Sequence, residues 1–317
     1  MNILCMTPIH HLEGVMEILS SIGNIKYDPY IEKEELKSLL SQQGIEYIFT
    51  NPNKQTFILD EEVLANSSVR VINTASTGLN HIDLDYCENN NIEVWSLTKD
   101  YELINDLPST SELAFALMMA LLRKLPTGFE HVKNGGWDYE PFMGRQIKGK
   151  TIGIIGYGRL GKIMCKLFDG WGVETLVYDP YVQTKNNNYK NVDKQVLLEK
   201  CDVIFLHVHV NDETRNMVDE QFLSLMKKGS YLVNTSRGEL VDENAIIDSI
   251  SSNHLAGYAT DVITDEFSDY KNSALVQFSK NNNVIITPHV GGMTWEGQQK
   301  AYKWAVSKFK KERQNGY

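Results

Sequence analysis

The sequence predicts an α/β fold made of two doubly wound parallel-sheet lobes. Three observations support this. Short apolar runs alternate with polar helical stretches through the first hundred or so residues. The same alternation resumes, more regularly, from Lys150. Between the two halves lies one nearly all-apolar stretch, residues 107–122. Alternation of this kind implies parallel strands whose crossover helices cover both faces of a sheet.

In the first half, residues 3–6 read as a strand, 12–22 as a helix, 31–40 as a charged amphipathic helix and 46–49 as a strand. Residues 69–72 are a further strand, 82–89 a helix and 92–95 the last strand of the set. This half has no glycine-rich phosphate turn, so no nucleotide is expected there. The 107–122 segment opens with Ser and Thr suited to a cap, carries Glu112 in its first turn and is otherwise apolar. Such a helix is buried on all sides, within its own domain or against a second subunit. In the second half, strands are expected at 151–155, 175–178, 203–206, 231–233, 258–262 and 284–286, with helices such as 161–171 and 243–251 between them. The Asn-rich pieces at 185–188 and 281–283 read as surface turns. A charged helix, 295–313, ends the chain, packed by Trp295, Tyr302, Trp304 and Phe309.

A chain of 317 residues suits about two domains, each able to bury a core. The formal net charge of −10 argues against nucleic acid or an anionic membrane as partner. Cys5, Cys87, Cys165 and Cys201 are far apart and show no metal spacing, so they read as reduced, buried thiols of a cytoplasmic protein. The N-terminal apolar run is too short for a signal peptide, and no stretch reaches the ~18 apolar residues of a membrane span.

The most informative motif is Gly156-Tyr157-Gly158-Arg159-Leu160-Gly161, which follows the strand at 151–155 and opens a helix. Gly156 permits a tight turn, Gly158 lets the backbone approach a pyrophosphate, and Gly161 lets the helix pack close to its strand. The helix N-terminus offers free N–H groups to phosphates. Asp179 ends the next strand at the expected distance of about 20 residues and can accept from a ribose hydroxyl. Together these predict a dinucleotide site. A carboxylate at Asp179, followed by Pro180 and not by an arginine, repels a 2′-phosphate and favours NAD over NADP.

Ligands of doubly wound sheets bind at the carboxyl ends of the strands. There the second half places the glycine turn, Asp179, His207, then Asn234 to Gly238, then Thr264 to Glu266, then Thr287 to His289. Three of these form a chemical set. Arg237 has a planar fork matched to a carboxylate. His289 can pass a proton. Glu266 can orient the imidazole and favour its protonated form. Each alone has an ordinary explanation as a surface ion pair, a turn residue or a solvated loop. Jointly, beside a nicotinamide, they suit reduction of a carbonyl next to a carboxylate.

Several stretches, quoted as they stand, resemble the D-isomer-specific 2-hydroxyacid dehydrogenases, most nearly the D-3-phosphoglycerate dehydrogenase-like group. They are Gly156–Gly161 with Asp179, Tyr231 to Asp242, Ala259 to Glu266, Thr287 to Gly292, Thr74 to Leu84 and Cys201 to Val208. The likeness runs over nearly the whole chain in the right order. It implies a Rossmann NAD-binding lobe, residues 101–290, inserted into a flavodoxin-like substrate lobe, residues 1–100 plus 291–317. It implies that Arg237, Glu266 and His289 are catalytic, and that Thr77 and Gly78 offer backbone N–H groups to the substrate carboxylate. Thr77, Thr110, Arg159, Leu160, His207, Val208, Thr235, Ser236, Asp261 and Gly291 then line the cofactor, Asp261 meeting the nicotinamide amide. The resemblance also implies a homodimer joined through the cofactor lobe, with the 107–122 helix as candidate interface, and no added C-terminal regulatory domain.

The chain departs from the family pattern at three places. His209 stands where the family usually has proline after the strand-end His-Val, and reads as a surface substitution. Residues 49–54 hold no arginine for a substrate phosphate, although Lys54 is available. Glu266 stands where formate dehydrogenases carry glutamine, against formate as substrate. The same fold also serves NADH-sensing corepressors or scaffolds with little turnover, and enzymes that take hydride from phosphite share the catalytic set.

Overall fold

Five short runs rich in β-branched and aromatic residues pair side by side near the N-terminus, as such residues do on a pleated surface. They are β1 (Asn2–Cys5), β2 (Asn24–Tyr27), β3 (Tyr47–Thr50), β4 (Val71–Thr74) and β5 (Glu93–Trp95), joined through α1 (Val15–Ser20), α2 (Lys33–Gln42), α3 (Glu61–Leu64) and α4 (Leu84–Asn89). In the computed structural model the described residues are 1–52, 57–264, 266 and 270–314, with side chains described as far as 310. All strand pairs in this sheet are parallel, in the order β2-β1-β3-β4-β5. Successive side chains leave opposite faces. Ile3, Cys5 and Phe49 therefore enter one core, while Leu4, Ile48 and Ile72 enter another against Leu36, Leu39 and Leu40 of α2. A short α5 (Tyr101–Ile104) follows.

After α6 (Ser109–Leu122) and α7 (Leu125–Lys133) the chain builds a second sheet from β6 (Thr151–Ile155), β7 (Glu174–Tyr178), β8 (Tyr189–Asn191), β9 (Val203–Leu206), β10 (Ser230–Asn234), β11 (Leu255–Thr260) and β12 (Val284–Ile286). Its order is β12-β11-β10-β9-β6-β7-β8, again all parallel. The crossovers are α8 (Arg159–Leu167), α9 (Lys194–Lys200), α10 (Glu220–Leu225), α11 (Glu243–Ser251) and α12 (Ala274–Ser279), and α13 (Trp295–Gln314) ends the chain. Aspartate side chains cap two of these helices: Asp219 accepts from the Phe222 N–H, and Asp242 from those of Asn244 and Ala245. The succession of strands reverses direction between β6 and β9, which makes the glycine turn after β6 the switch point of the sheet.

By backbone proximity the chain divides into two compact units, Met1–Leu107 with Gly292–Tyr317, and Pro108–Gly291. Both sheets are α/β and wholly parallel, as expected. The strands at 151–155, 203–206 and 284–286 fall where the sequence puts them. Two strands were not legible there, β2 and β8. Both are edge strands, and their partly exposed faces blur the apolar pattern. The 12–22 helix is shorter than expected, because Gly14 at φ 76 begins it late. Trp295, expected to pack the last helix, is 67% exposed, whereas Tyr302 and Phe309 are buried in the first unit's core.

The apolar helix α6 starts after Pro108 with no side-chain cap bond. Its Ala114, Leu117, Met118 and Leu121 share a core with Ile152 and Ile154 of β6 and Met164 and Cys165 of α8. Burial inside its own unit thus accounts for its composition. All four cysteines are free and buried, and burial pushes the Cys5, Cys165 and Cys201 thiols up to about 12. Among the described residues no helix is long and apolar enough to cross a membrane.

Candidate active site

The glycine turn is shaped by contacts that a side chain would break. Gly156 sits at φ 94, and a Cβ there would lie 2.3 Å from the His207 carbonyl oxygen. A Cβ on Gly161 would lie 2.0 Å from the Gly156 carbonyl oxygen, so α8 crosses its own strand's exit with no room to spare. A Cβ on Gly158, by contrast, would meet nothing within 4 Å. The open space thus lies where α8 begins, at a helix end whose first N–H groups have no acceptor within the helix and suit a phosphate. Asp179 is held rigidly beside it. Its Oδ2 accepts from Tyr157 N–H at 2.7 Å, and its Oδ1 from Tyr181 and Val182 N–H at 2.8 and 2.9 Å.

Buried polar atoms near this turn lack partners. Both ring nitrogens of His207 and the hydroxyl of Thr235 are buried and unbonded among the described residues. Burial, and then the Arg159 charge, push His207 down to about 4, so its imidazole is neutral near pH 7. A buried polar group normally finds a partner. A ligand carrying hydroxyls and phosphates, seated over Gly158, supplies partners of the right chemistry, and the residues here fit a dinucleotide on that ground. Ser236 is differently placed: its hydroxyl donates to the Leu206 carbonyl at 2.7 Å, tying β10's exit to β9's. Val208 packs against Gly156, and His209 is exposed.

The exits of β10, β11 and β12 lie side by side and are stitched together. Asp261 N–H donates to Asn234 O at 3.0 Å, and His289 N–H to Asp261 O at 2.9 Å. The buried Asp261 carboxylate accepts from Thr287 Oγ1 at 2.6 Å and from Val290 and Gly291 N–H at 2.8 and 2.7 Å. Desolvation raises this carboxyl, and those three donors oppose the rise. Gly291 also brings Thr110 of α6 close, since a Cβ on Gly291 would lie 3.3 Å from Thr110 Oγ1. Ser111 Oγ donates to Leu160 O at 3.1 Å, so the start of α6 is fixed to the start of α8.

On this edge His289 Nδ1 lies 3.0 Å from both carboxylate oxygens of Glu266. Both side chains are partly buried, 28% and 17% exposed, so the pair is only partly screened by water. His289 adopts φ 53, a left-handed conformation unusual for a residue with a side chain. Arg237 stands on the neighbouring loop, where its Nη1 donates to Ser236 O at 2.6 Å and Asn234 Nδ2 donates to its carbonyl at 2.8 Å. Glu243 of α11 accepts from Thr264 N–H at 2.8 Å, steadying the chain that leads to Glu266. Asn234 and Thr287 are named from sequence only as the first residues after β10 and β12, with no role given to them, and Glu243 only as the start of a helix.

In the first unit the exit of β4 carries the Ser76-Thr77-Gly78 loop. All three of its carbonyls are bonded: Ser76 O to Leu97 N–H at 2.9 Å, Thr77 O to Thr98 Oγ1 at 3.0 Å and Gly78 O to Ser76 Oγ at 2.8 Å. Lys54 lies outside the described residues, as do Asp265 and Asp269 beside Glu266.

The D-isomer specific 2-hydroxyacid dehydrogenase NAD binding domain matches residues 115–291. A glyoxylate reductase of Thermococcus litoralis is 33% identical over 252 residues, 76% of this chain and 73% of that protein. The chain belongs to the D-isomer specific 2-hydroxyacid dehydrogenase family. Its second unit is the family's NAD-binding domain, and the glycine turn, Asp179 and the Arg237, Glu266 and His289 loops all lie on it. A D-3-phosphoglycerate dehydrogenase of Methanocaldococcus jannaschii is 29% identical over 98% of this chain, but the chain spans only 57% of that relative's length. Among solved structures, an NAD-dependent formate dehydrogenase from Staphylococcus aureus in complex with NAD shares the fold of this dehydrogenase-family chain, with a TM-score of 0.84 and 26% identity over 100% of this chain and 97% of the other.

Proposed function

We propose that the protein is an NAD-dependent oxidoreductase that interconverts a small D-2-hydroxy acid and its 2-oxo acid. The observation that carries this reading is the His289–Glu266 pair, 3.0 Å apart, which joins the loops after β12 and β11, with Arg237 on the adjacent loop after β10 at the carboxyl edge of an NAD-binding sheet. When bound, the nicotinamide supplies or takes the hydride. Arg237 holds the substrate carboxylate through its two-pronged guanidinium, which fixes the carbonyl carbon in position. With Nδ1 committed to Glu266, His289 gives the proton to the carbonyl oxygen from Nε2 in reduction and removes it in oxidation. Glu266 keeps the ring oriented and stabilises the imidazolium. Thr77 and Gly78 of the first unit carry backbone N–H donors suited to a substrate carboxylate.

Asp179 favours NAD, because a 2′-phosphate would meet a carboxylate already locked in place by three backbone donors. Thr110, Arg159, Leu160, His207, Val208, Thr235, Ser236, Asp261 and Gly291 complete the cofactor's surroundings. The first unit serves as the substrate lobe. Glu266, in place of glutamine, speaks against formate, and the lack of arginine in residues 49–54 speaks against a phosphorylated substrate. The protein works in the cytoplasm, in keeping with four free, buried thiols. It forms a homodimer through its NAD-binding unit, over the apolar side chains that α7 and the segment after it leave exposed: Phe129, Val132, Trp137, Tyr139 and Met143.

An NADH-oxidation screen over glyoxylate, pyruvate, hydroxypyruvate, 3-phosphohydroxypyruvate and branched or aromatic 2-oxo acids tests the reading. Turnover of at least one acid, with NADH preferred to NADPH, is expected. Cofactor binding with no turnover on any of them would favour an NADH-sensing scaffold instead.

A further inference from the structure

The loop proposed to receive the substrate carboxylate is braced from one side only. A trans peptide places its N–H opposite its C=O. Ser76 O and Thr77 O belong to the peptides whose N–H groups are those of Thr77 and Gly78. Those two carbonyls are held by Leu97 N–H and by Thr98 Oγ1, consecutive residues at the exit of β5. Pulling both carbonyls toward β5 turns both N–H groups away from it. Among the described residues these two N–H groups meet no acceptor.

The protons in the surrounding hydroxyls can be assigned by elimination. Thr98 gives its hydroxyl proton to Thr77 O, so its oxygen accepts from Ser96 Oγ at 3.0 Å. Lys308 of α13 in turn donates to Ser96 O and pairs with Asp100 at 2.6 Å, anchoring that segment. Ser76 gives its proton to Gly78 O, so Thr74 Oγ1 donates to Ser76 Oγ at 2.8 Å and accepts from His81 Nε2–H at 3.0 Å. Two donor chains, Ser96–Thr98 and His81–Thr74–Ser76, therefore end on carbonyls of the same three-residue loop. A carbonyl that accepts a hydrogen bond makes the N–H of its own peptide a stronger donor.

We propose that Thr98, supported by Ser96, is a positioning residue that aims and polarises the Gly78 N–H for the substrate carboxylate. This rests on the dehydrogenase reading above, with Thr77 and Gly78 as carboxylate donors. The Thr98 bonds are exposed, so water replaces them at little cost to the fold, and their effect falls on the orientation of the loop.

The test is steady-state reduction of glyoxylate by NADH with the full chain. Glyoxylate has no side chain, so its KM reads the contacts to carboxylate and carbonyl alone. Thr98→Val keeps the shape and removes the hydroxyl. Loss of one ordinary hydrogen bond's worth of alignment predicts a rise in glyoxylate KM of about three- to tenfold. The expectation includes kcat within a factor of about two, an unchanged Kd for NADH by fluorescence, and recovery of KM in Thr98→Ser. An unchanged KM in Thr98→Val overturns the proposal. So does a KM rise accompanied by weaker NADH binding, or one that Thr98→Ser does not reverse, because either marks general disturbance. If the parent enzyme reduces no 2-oxo acid, the underlying functional reading fails instead, and the two failures are distinct.

Discussion

His289 holds a left-handed backbone at φ 53, a conformation that costs a residue with a side chain about 1 kcal/mol or more. Its N–H donates to Asp261 O and Thr287 O, and its ring to Glu266, so the surroundings impose the conformation. Strain kept in this way marks a residue whose direction matters. On the proposed reading His289 hands a proton to the carbonyl oxygen, and Glu266 fixes the ring that does so. Glu266→Gln removes the carboxylate 3.0 Å from Nδ1 while keeping the size of the side chain. The kcat/KM for glyoxylate reduction is expected to fall by about tenfold or more, and an unchanged value removes Glu266 from its role. Arg237→Lys keeps the charge and loses the fork, which predicts a fall in kcat/KM of about 10- to 100-fold. His207 has the opposite character. Its folded value is pushed down to about 4 from 6.5, so as pH falls below 6.5 the unfolded chain takes up a proton that the folded chain refuses. The cofactor-free protein therefore loses stability between those two values, and His207→Gln should show a shallower fall of Tm across that window.

The glycine turn makes a sharp prediction for an element. Gly161→Ala drives a Cβ to 2.0 Å from the Gly156 carbonyl, so both Tm and NADH affinity should drop. Gly158→Ala puts its Cβ into open space, so Tm should hold while NADH binding weakens. Calorimetry and NADH fluorescence on the two variants separate packing from ligand room; equal behaviour of the pair would contradict the assignment of that space. The turn was readable from sequence because its chemistry is local: three glycines at fixed spacing and one acid on the next strand. The buried strands of the second sheet were readable for a similar reason, since β9 is apolar at every position. Edge strands β2 and β8 were not, because a half-solvated strand mixes polar and apolar residues without a clean period. Nor were Thr98, Ser96 and Glu243. Their roles come from long-range contacts, such as Glu243 to Thr264, that no spacing along the chain encodes.

For the whole molecule, composition leaves α6 either a core helix or an interface helix. The apolar α6 fills the core of its own unit, while α7 and its continuation leave Phe129 65%, Trp137 91% and Met143 79% exposed. A second copy is the proposed cover. Sedimentation velocity should find a dimer, and Phe129→Asp with Trp137→Asp should give a folded monomer; a monomeric parent protein would remove the proposal. The second sheet is the family's NAD-binding sheet, and on the proposed reading the Thr77–Gly78 loop of the first offers its N–H groups to a carboxylate. The proposed chemistry turns on a proton delivered by His289. Single-turnover hydride transfer, with enzyme-bound NADH and saturating 2-oxo acid, compares the parent with His289→Gln. The variant's transfer rate is expected to be lower by about 100-fold or more, with NADH affinity unchanged. A variant that transfers hydride as fast as the parent would contradict it.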